Sequence, residues 1–144
     1  MIYIASDHRG FDLKKEIVGY LKSLNLDVED LGPFEYNGDD DYPLYAIDVA
    51  KKVLTDENNW GILICDTGIG MDIAVNKFKG IRGALCTDKF FAYRAKLHNN
   101  ANVLILSAEY DKSDYKEIVK TFIDTDFSSE ERHERRLKEI DEIS

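Results

Sequence analysis

A cysteine followed by a glycine-rich loop is the part of this sequence with the clearest potential for chemistry. Residues 60–65 form an apolar run that ends at Cys65, and Gly68 and Gly70 follow before a helical pattern begins near Met71. Glycines let the backbone curl so that successive N–H groups face one point, and a helix start adds the positive end of its dipole. The spacing therefore predicts a nucleophilic sulfur beside a cradle for negative charge.

Cys65 and Thr67 in this segment also have possible roles that involve no chemistry. A cysteine at the end of a strand is commonly an inert residue of the core, a role open to Cys65 as well as to Cys86. In a reducing compartment these two cysteines are expected to be thiols rather than a disulfide. The hydroxyl of Thr67 has the alternative role of capping the helix that begins near Met71.

Further candidates for acid–base or binding chemistry stand beside other predicted strands. Asp7 and His8 follow the first strand, whereas His98 and Asn99 stand just before the fifth. Ligands of an open parallel sheet bind beyond the carboxyl ends of its strands, and we expect these residues and Cys65 to lie there. A lone histidine is commonly a solvated or capping residue, but two beside strand ends favour a function. For Asp7, the alternative is a turn residue that opens the first crossover.

The carboxyl-terminal segment concentrates arginines in an acidic chain. Ser128 and Glu131 have the spacing of a capping box, which predicts a helix that runs through Ile140. On that helix Arg132 and Arg136 are one turn apart and can converge on one dianion. The alternative is a solvated helix with Glu–Arg pairs along its surface, and this segment alone favours that alternative.

An alternating pattern of elements positions these residues. Short apolar runs rich in β-branched residues indicate strands, and apolar residues recur at helical spacing between them. This pattern predicts an α/β fold, with a three-layer, Rossmann-like arrangement around a five-stranded parallel sheet and with a C-terminal helix. We expect one domain over residues 1–144, in which the longest loop, residues 32–41, is a candidate for mobility. The predicted strands are Ile2 to Ser6, Asp27 to Leu31, Gly61 to Cys65, Ile81 to Cys86 and Ala101 to Leu106.

Composition excludes several classes of function. The 144 residues include 28 acidic and 19 basic ones, and the formal charge of −9 argues against nucleic acid or an anionic membrane as partner. There is no apolar run of transmembrane length and no signal peptide at the start, so we expect a cytoplasmic location. No phosphatase loop, dinucleotide fingerprint, Walker sequence or cluster of metal ligands is present, and we expect neither a metal nor a cofactor.

Several short motifs follow one another along the chain, and their joint order and spacing make a chance match to one protein family improbable. They are Ser6 to Phe11, Asp41 to Pro43, Ile64 to Met71, Asn76 with Lys77, Gly80 to Arg82, His98 with Asn99, Ala101 to Val103, and Arg132, His133 and Arg136. In this order they resemble ribose-5-phosphate isomerase B, of the family that also includes galactose-6-phosphate isomerase subunits. The resemblance runs through almost the whole chain.

The resemblance implies a metal-free aldose–ketose isomerase with an enediolate intermediate and an active site shared between subunits of a homodimer or tetramer. Cys65, as thiolate, would remove the proton next to the carbonyl, and the loop and helix dipole would lower its pKa. Thr67 would relay a proton between the two substrate oxygens. His98 of the adjacent subunit would open the furanose ring as acid or base. The N–H groups that would stabilise the enediolate oxygens belong to Asp66, Thr67, Gly68, Ile69 and Gly70.

The resemblance also implies roles in substrate binding. Asp7 would bond sugar hydroxyls, Tyr42 would line the pocket and Asn99 would hold a substrate oxygen. The phosphate would be held by His8, Arg132 and Arg136. The implied reaction interconverts ribose 5-phosphate and ribulose 5-phosphate in the pentose phosphate pathway. The alternatives are an isomerase of a six-carbon phosphosugar, such as allose 6-phosphate or galactose 6-phosphate, and a non-catalytic phosphosugar-binding subunit.

This chain departs from the family pattern at three positions. Asp66 replaces a glycine, and its carboxylate would raise the pKa of Cys65 if it pointed inward and would do little if it pointed outward. Glu109 stands where ribose-phosphate enzymes often have a phosphate-binding arginine and where some galactose-6-phosphate isomerase subunits have glutamate. Some relatives use a glutamate as base at the position of Met71, so Cys65 is the predicted base here, with Asp72 as a second choice.

Overall fold

The computed structural model describes residues 1–109 and 114–143. Its strands in chain order are β1 (Ile2–Ser6), β2 (Val28–Asp30), β3 (Trp60–Cys65), β4 (Gly83–Leu85) and β5 (Val103–Ser107). All neighbouring pairs are parallel, in the order β2-β1-β3-β5-β4. The predicted five-stranded parallel sheet is confirmed, with the two outer strands shorter than expected.

Six helices accompany the strands in the described part of the chain. They are α1 (Phe11–Ser23), α2 (Tyr42–Val53), α3 (Ile69–Val75), α4 (Lys89–Asn99), α5 (Tyr115–Asp124) and α6 (Glu131–Asp141). The C-terminal helix is thus confirmed, but the capping box is not: residue 130 is the N-cap, and its N–H donates to the Ser128 hydroxyl at 3.3 Å. Within the described residues, none of the helices has both the length and the apolar character needed to cross a membrane.

The helices cover both faces of the sheet, as the three-layer prediction requires. Ile62 and Ile64 of β3 pack in one apolar cluster with α1, α4 and α5, whereas Leu63 and Cys65 pack in the other with α2 and α3. Successive side chains of a strand point to opposite faces, so an uninterrupted apolar run is needed where both faces are buried. Cys65 consequently faces the layer of α2 and α3.

Parallel strands give the sheet two chemically different edges. We call the edge at which the strands end the carboxyl edge and the opposite one the amino edge. Each connecting helix runs back from the carboxyl edge to the amino edge, so the last turn of α4 lies near the start of the strands. The Gly61 N–H donates to the carbonyl of Asn102 at 2.9 Å, and Arg82 Nε donates to the carbonyl of Asn100 at 3.0 Å. These contacts place the residues that follow α4 at the amino edge.

Candidate active site

The sulfur of Cys65 sits inside the predicted cradle of backbone N–H groups. The Gly68 N–H donates to Sγ at 3.2 Å, and the N–H groups of Gly70 and Met71 also act on it. Gly68 has a φ of +84°, in the left-handed region that favours glycine, and a Cβ there would lie 2.5 Å from a Leu85 methyl carbon. The glycine is therefore required both by backbone conformation and by packing.

Burial reverses the predicted effect of the cradle on Cys65. The side chain lies at the end of β3 with the residue 5% exposed, and desolvation by burial raises its pKa. The three N–H groups of the cradle act in the opposite direction, and the Asp7 carboxylate adds a further rise. The expectation of a lowered pKa is therefore wrong for this chain, because a thiolate placed between sheet and helices loses more solvation than the N–H groups restore.

Asp7 has the turn geometry that was the alternative to a role in substrate binding. Its Oδ1 accepts hydrogen bonds from the N–H groups of Arg9, at 2.9 Å, and of Gly10, at 3.1 Å, as expected of a residue that opens a turn. The carboxylate is also close enough to Cys65 to act on its charge. Burial raises the pKa of Asp7, against the effect of these two N–H donors. The turn after β1 therefore places a carboxylate near the sulfur at the end of β3.

His8 is held by an aspartate that the sequence analysis did not single out. Asp40 accepts hydrogen bonds through Oδ1 from His8 Nδ1, at 2.8 Å, and from the His8 N–H, at 3.3 Å. The Tyr36 ring meets the imidazole edge-on at a centroid distance of 6.0 Å. Burial and the adjacent Asp40 carboxylate raise the pKa of Tyr45 to about 12. The end of the loop over residues 32–41 is therefore attached to the carboxyl edge, while its mobility stays a prediction.

Tyr42 and Thr67 flank the glycine loop. A Cβ on Gly70 would lie 2.6 Å from the Tyr42 ring, which places this ring directly over the loop. Thr67 is exposed, and its hydroxyl accepts a hydrogen bond at 3.3 Å from the N–H of Ile69, the first residue of α3. Ile69 itself is exposed. The hydroxyl of Thr67 therefore serves the helix start and also borders the solvent side of the loop.

Asp66 points outward. Its Oδ1 accepts from Arg9 Nε at 3.3 Å and from Nη2 at 3.1 Å, and Arg9 Nη2 also contacts the Glu109 carboxylate. The Asp66 side chain is half exposed, and the carboxylate with the main effect on Cys65 is that of Asp7. Of the two orientations considered above, the outward one is found. Arg9 thus contacts two of the three residues that depart from the family pattern, and its contact with Glu109 spans 100 positions of sequence, which no local signal could have revealed.

The remaining candidates lie at the other edge of the sheet. His98 and Asn99 end α4 at the amino edge, and the expectation that they lie at the carboxyl ends of the strands is wrong. They precede a strand, and the start of a parallel strand is opposite to its end. The N–H of Ser128 donates to the Leu97 carbonyl at 3.0 Å, so the start of α6 adjoins this turn of α4. One chain therefore does not bring Cys65 and His98 together.

Arg132 and Arg136 are exposed on α6, and Arg132 is close enough to His98 to act on its charge. Arg132 Nε contacts the Glu130 carboxylate at 3.1 Å, the kind of Glu–Arg pair that the surface-helix alternative describes. His133, by contrast, is buried against α4. Among residues 1–109 and 114–143, no group of three His, Cys, Asp or Glu side chains is arranged to hold a metal ion.

The chain is similar to known proteins in both sequence and structure. A sequence model of the family described as Ribose/Galactose Isomerase matches residues 2–140. The chain belongs to the ribose/galactose isomerase family. The resemblance seen in the motifs is thereby confirmed. A probable ribose-5-phosphate isomerase B of Mycoplasma genitalium is 44% identical over 141 residues, with coverage of 96% of this chain and 92% of that protein.

Solved structures of the family share the fold of this enzyme. Ribose-5-phosphate isomerase B of Mycoplasma genitalium, crystallised with bound ribulose 5-phosphate, superposes with a TM-score of 0.93 at 44% identity over 96% of this chain and 92% of that chain. A ribose 5-phosphate isomerase of Thermotoga maritima gives a TM-score of 0.94 at 44% identity, over 99% and 97%. The sheet order and both edges described above therefore belong to a known isomerase fold.

Proposed function

We propose that this isomerase interconverts ribose 5-phosphate and ribulose 5-phosphate through an enediolate. The observation that carries the proposal is the sulfur of Cys65 within a ring of backbone N–H groups, with a carboxylate at its side. The relatives named for this reaction, and the ribulose 5-phosphate bound to one of them, support the substrate class.

The chemical step uses the carboxyl edge of one chain. Cys65 as thiolate takes the proton from C2 of the open-chain aldose, and the electron pair moves into a C1–C2 double bond as the carbonyl oxygen becomes an enediolate oxygen. The N–H groups of residues 66–70 stabilise that charge, an effect worth about 3 kcal/mol per donor in other enzymes. Thr67 moves a proton between the two oxygens. The thiol then returns its proton to C1, which gives the ketose and restores the thiolate.

Two subunits are needed to complete the proposed site. The partner subunit's His98 opens the furanose ring, and the partner subunit's Asn99 holds a substrate oxygen. Within one chain these residues lie at the amino edge, so a second copy must bring its amino edge to the carboxyl edge of the first. The two-fold symmetry of a homodimer then forms two equivalent copies of the shared site, and a tetramer made of such dimers forms four.

Exposed apolar side chains on α3 and α4 favour such an association. Large apolar patches at a surface commonly mark an interface between proteins. The exposed apolar residues lie on the consecutive helices α3 and α4, and the first of them belongs to the glycine loop. They are Ile69, Ile73, Phe90, Phe91 and Tyr93.

The remaining assignments concern the substrate. Asp7 bonds sugar hydroxyls, Tyr42 lines the pocket, and His8 contacts the phosphate. The partner subunit's Arg132 and the partner subunit's Arg136 complete the binding site for the phosphate dianion. We further propose that the chain acts as one domain in the cytoplasm, within the pentose phosphate pathway.

A six-carbon phosphosugar is the second candidate substrate. Glu109 favours it, because a carboxylate replaces a phosphate-binding arginine at the rim of the site and, with Asp66, outnumbers the charge of Arg9. A non-catalytic phosphosugar-binding subunit is the third candidate, and the presence of Cys65, Thr67 and His98 together argues against it.

The test is a set of initial rates for purified protein with ribose 5-phosphate, allose 6-phosphate and galactose 6-phosphate, each with and without a chelator. We expect the highest kcat/KM for ribose 5-phosphate and no effect of the chelator. A higher kcat/KM for either hexose phosphate would establish the second candidate. Binding of the phosphosugars without turnover of any of them would establish the third.

A further inference from the structure

Two histidine rings lie flat against each other where α4 meets α6. The imidazoles of His98 and His133 have centroids 4.3 Å apart and planes inclined by 11°. His133 is buried, with the residue 6% exposed, whereas His98 is only partly buried. A buried ring cannot turn freely, so the stack fixes the plane in which the His98 ring nitrogens lie.

Arg94 determines which of those nitrogens carries the proton. It lies one helical turn before His98 on α4, and its Nη1 is 3.0 Å from His98 Nε2. A guanidinium has five N–H donors and no acceptor, so Nε2 must accept through its lone pair. The proton of a neutral imidazole then resides on Nδ1. A second proton on Nε2 would point an N–H at a cation.

The charges around His98 act in the same direction. Desolvation is the largest cause that lowers the pKa of His98. His133, Arg94 and Arg132 lower it further by repulsion, whereas Glu130 raises it. Arg94 belongs to α4 itself, His133 and Arg132 belong to α6, and Glu130 is the N-cap of α6. The imidazolium form is thus disfavoured near pH 7.

We propose that Arg94 and His133 are positioning residues that hold His98 as a neutral imidazole with its proton on Nδ1. Nδ1–H is then the group that α4 offers to a bound molecule, as a hydrogen-bond donor. That the bound molecule is the sugar held by a second subunit depends on the function proposed above, whereas the tautomer does not. In that case Nδ1–H donates to the ring oxygen, where negative charge grows as the bond from C1 to this oxygen breaks.

The test is the nitrogen-15 spectrum of the histidine rings in the full-length protein, without any ligand. His98→Ala assigns the signals. We expect the wild-type His98 ring to have a protonated Nδ1 and an unprotonated Nε2, and to titrate below the ordinary imidazole pKa of about 6.5. In Arg94→Leu the Nε2–H form should appear, and the midpoint should rise toward that ordinary value.

Two controls separate positioning from a general loss of structure. Arg135→Leu removes another exposed arginine, on α6, and should leave the tautomer and the midpoint of His98 at their wild-type values. His133→Phe keeps a flat ring in the stack and should keep the Nδ1–H tautomer of His98. His133→Ala removes the ring, and the Nε2–H form of His98 should then appear beside the Nδ1–H form. A wild-type ring protonated on Nε2, or an unchanged spectrum in Arg94→Leu, would overturn the proposal. Because no turnover is measured, these results are independent of the substrate assignment.

Discussion

Asp40 holds His8 through two hydrogen bonds to one oxygen. Oδ1 accepts from the ring Nδ1 at 2.8 Å and from the backbone N–H at 3.3 Å, and the Asp40 side chain is 5% exposed. A carboxylate only accepts, so Nδ1 of His8 carries a proton, and donation from Nε2 to a phosphate oxygen requires the imidazolium form. The contact fixes a phosphate-binding candidate and also attaches the preceding loop to the carboxyl edge.

Asp40→Asn should weaken substrate binding more than turnover. The amide keeps the shape of the side chain but loses the charge-assisted hydrogen bond, and we expect KM for the phosphosugar to rise about 10-fold, with a smaller change in kcat. The neighbouring Asp39 is exposed, and Asp39→Asn removes the same charge from the same loop. Steady-state kinetics of both variants provide the comparison. Equal KM values in the two would contradict the role given to Asp40.

Cys65→Ala should abolish isomerisation while phosphosugar binding, measured by calorimetry, persists. The loss of a positioned base costs about 10²- to 10⁴-fold in rate. The matched control is Cys86→Ala, which removes the other thiol, a buried group with a pKa of about 12 that belongs to the opposite apolar cluster. If Cys65→Ala retained wild-type turnover, another residue would have to be the base.

The raised pKa of Cys65 also predicts a pH dependence. Burial and Asp7 shift it above the ordinary value, so the thiolate fraction is small near pH 7 and grows as the pH rises. We therefore expect kcat/KM, and the rate of Cys65 alkylation by iodoacetamide, to increase from neutral pH to beyond the ordinary thiol pKa of about 8.5. Both profiles should share one midpoint. If kcat/KM and the alkylation rate reached a plateau below neutral pH, burial could not be the main influence on the pKa of Cys65.

Subunit mixing should restore activity to two inactive variants. If Cys65 and the partner subunit's His98 form one site, a mixed dimer of Cys65→Ala and His98→Ala chains contains one intact site of two. Random exchange of equal amounts should then recover about a quarter of the wild-type activity. The control replaces the second chain by the double variant Cys65→Ala/His98→Ala, which cannot complete a site. No recovery despite verified exchange would contradict a site that combines Cys65 with the partner subunit's His98.

Gly68→Ala should destabilise the protein. An alanine at a φ of +84° is strained, and its Cβ would lie 2.5 Å from the Leu85 side chain, so we expect a loss of about 2–4 kcal/mol in the free energy of unfolding. Gly19 in α1 is the control, because a Cβ there meets nothing within 4 Å. Gly19→Ala should stabilise by about 0.5–1 kcal/mol. Urea unfolding at one protein concentration measures both, and equal effects would refute the packing argument.

Much of the fold and part of the site could be predicted because they depend on local patterns. The period of apolar residues predicts all five strands, and the glycine spacing predicts the N–H cradle around Cys65. The Asp40–His8 and Arg9–Glu109 contacts join residues 32 and 100 positions apart. Such contacts arise only after strands that are distant in sequence become neighbours in the sheet, and no spacing rule predicts them.

The sequence by itself determined the kinds of elements and the chemistry they carry, since helix and strand periods and the conformational freedom of glycine act over a few residues. Only the tertiary structure decided the direction of the Cys65 pKa shift, because desolvation sums over both layers that enclose the sulfur. It also decided that His98 lies opposite to Cys65, because a parallel sheet separates the starts of its strands from their ends.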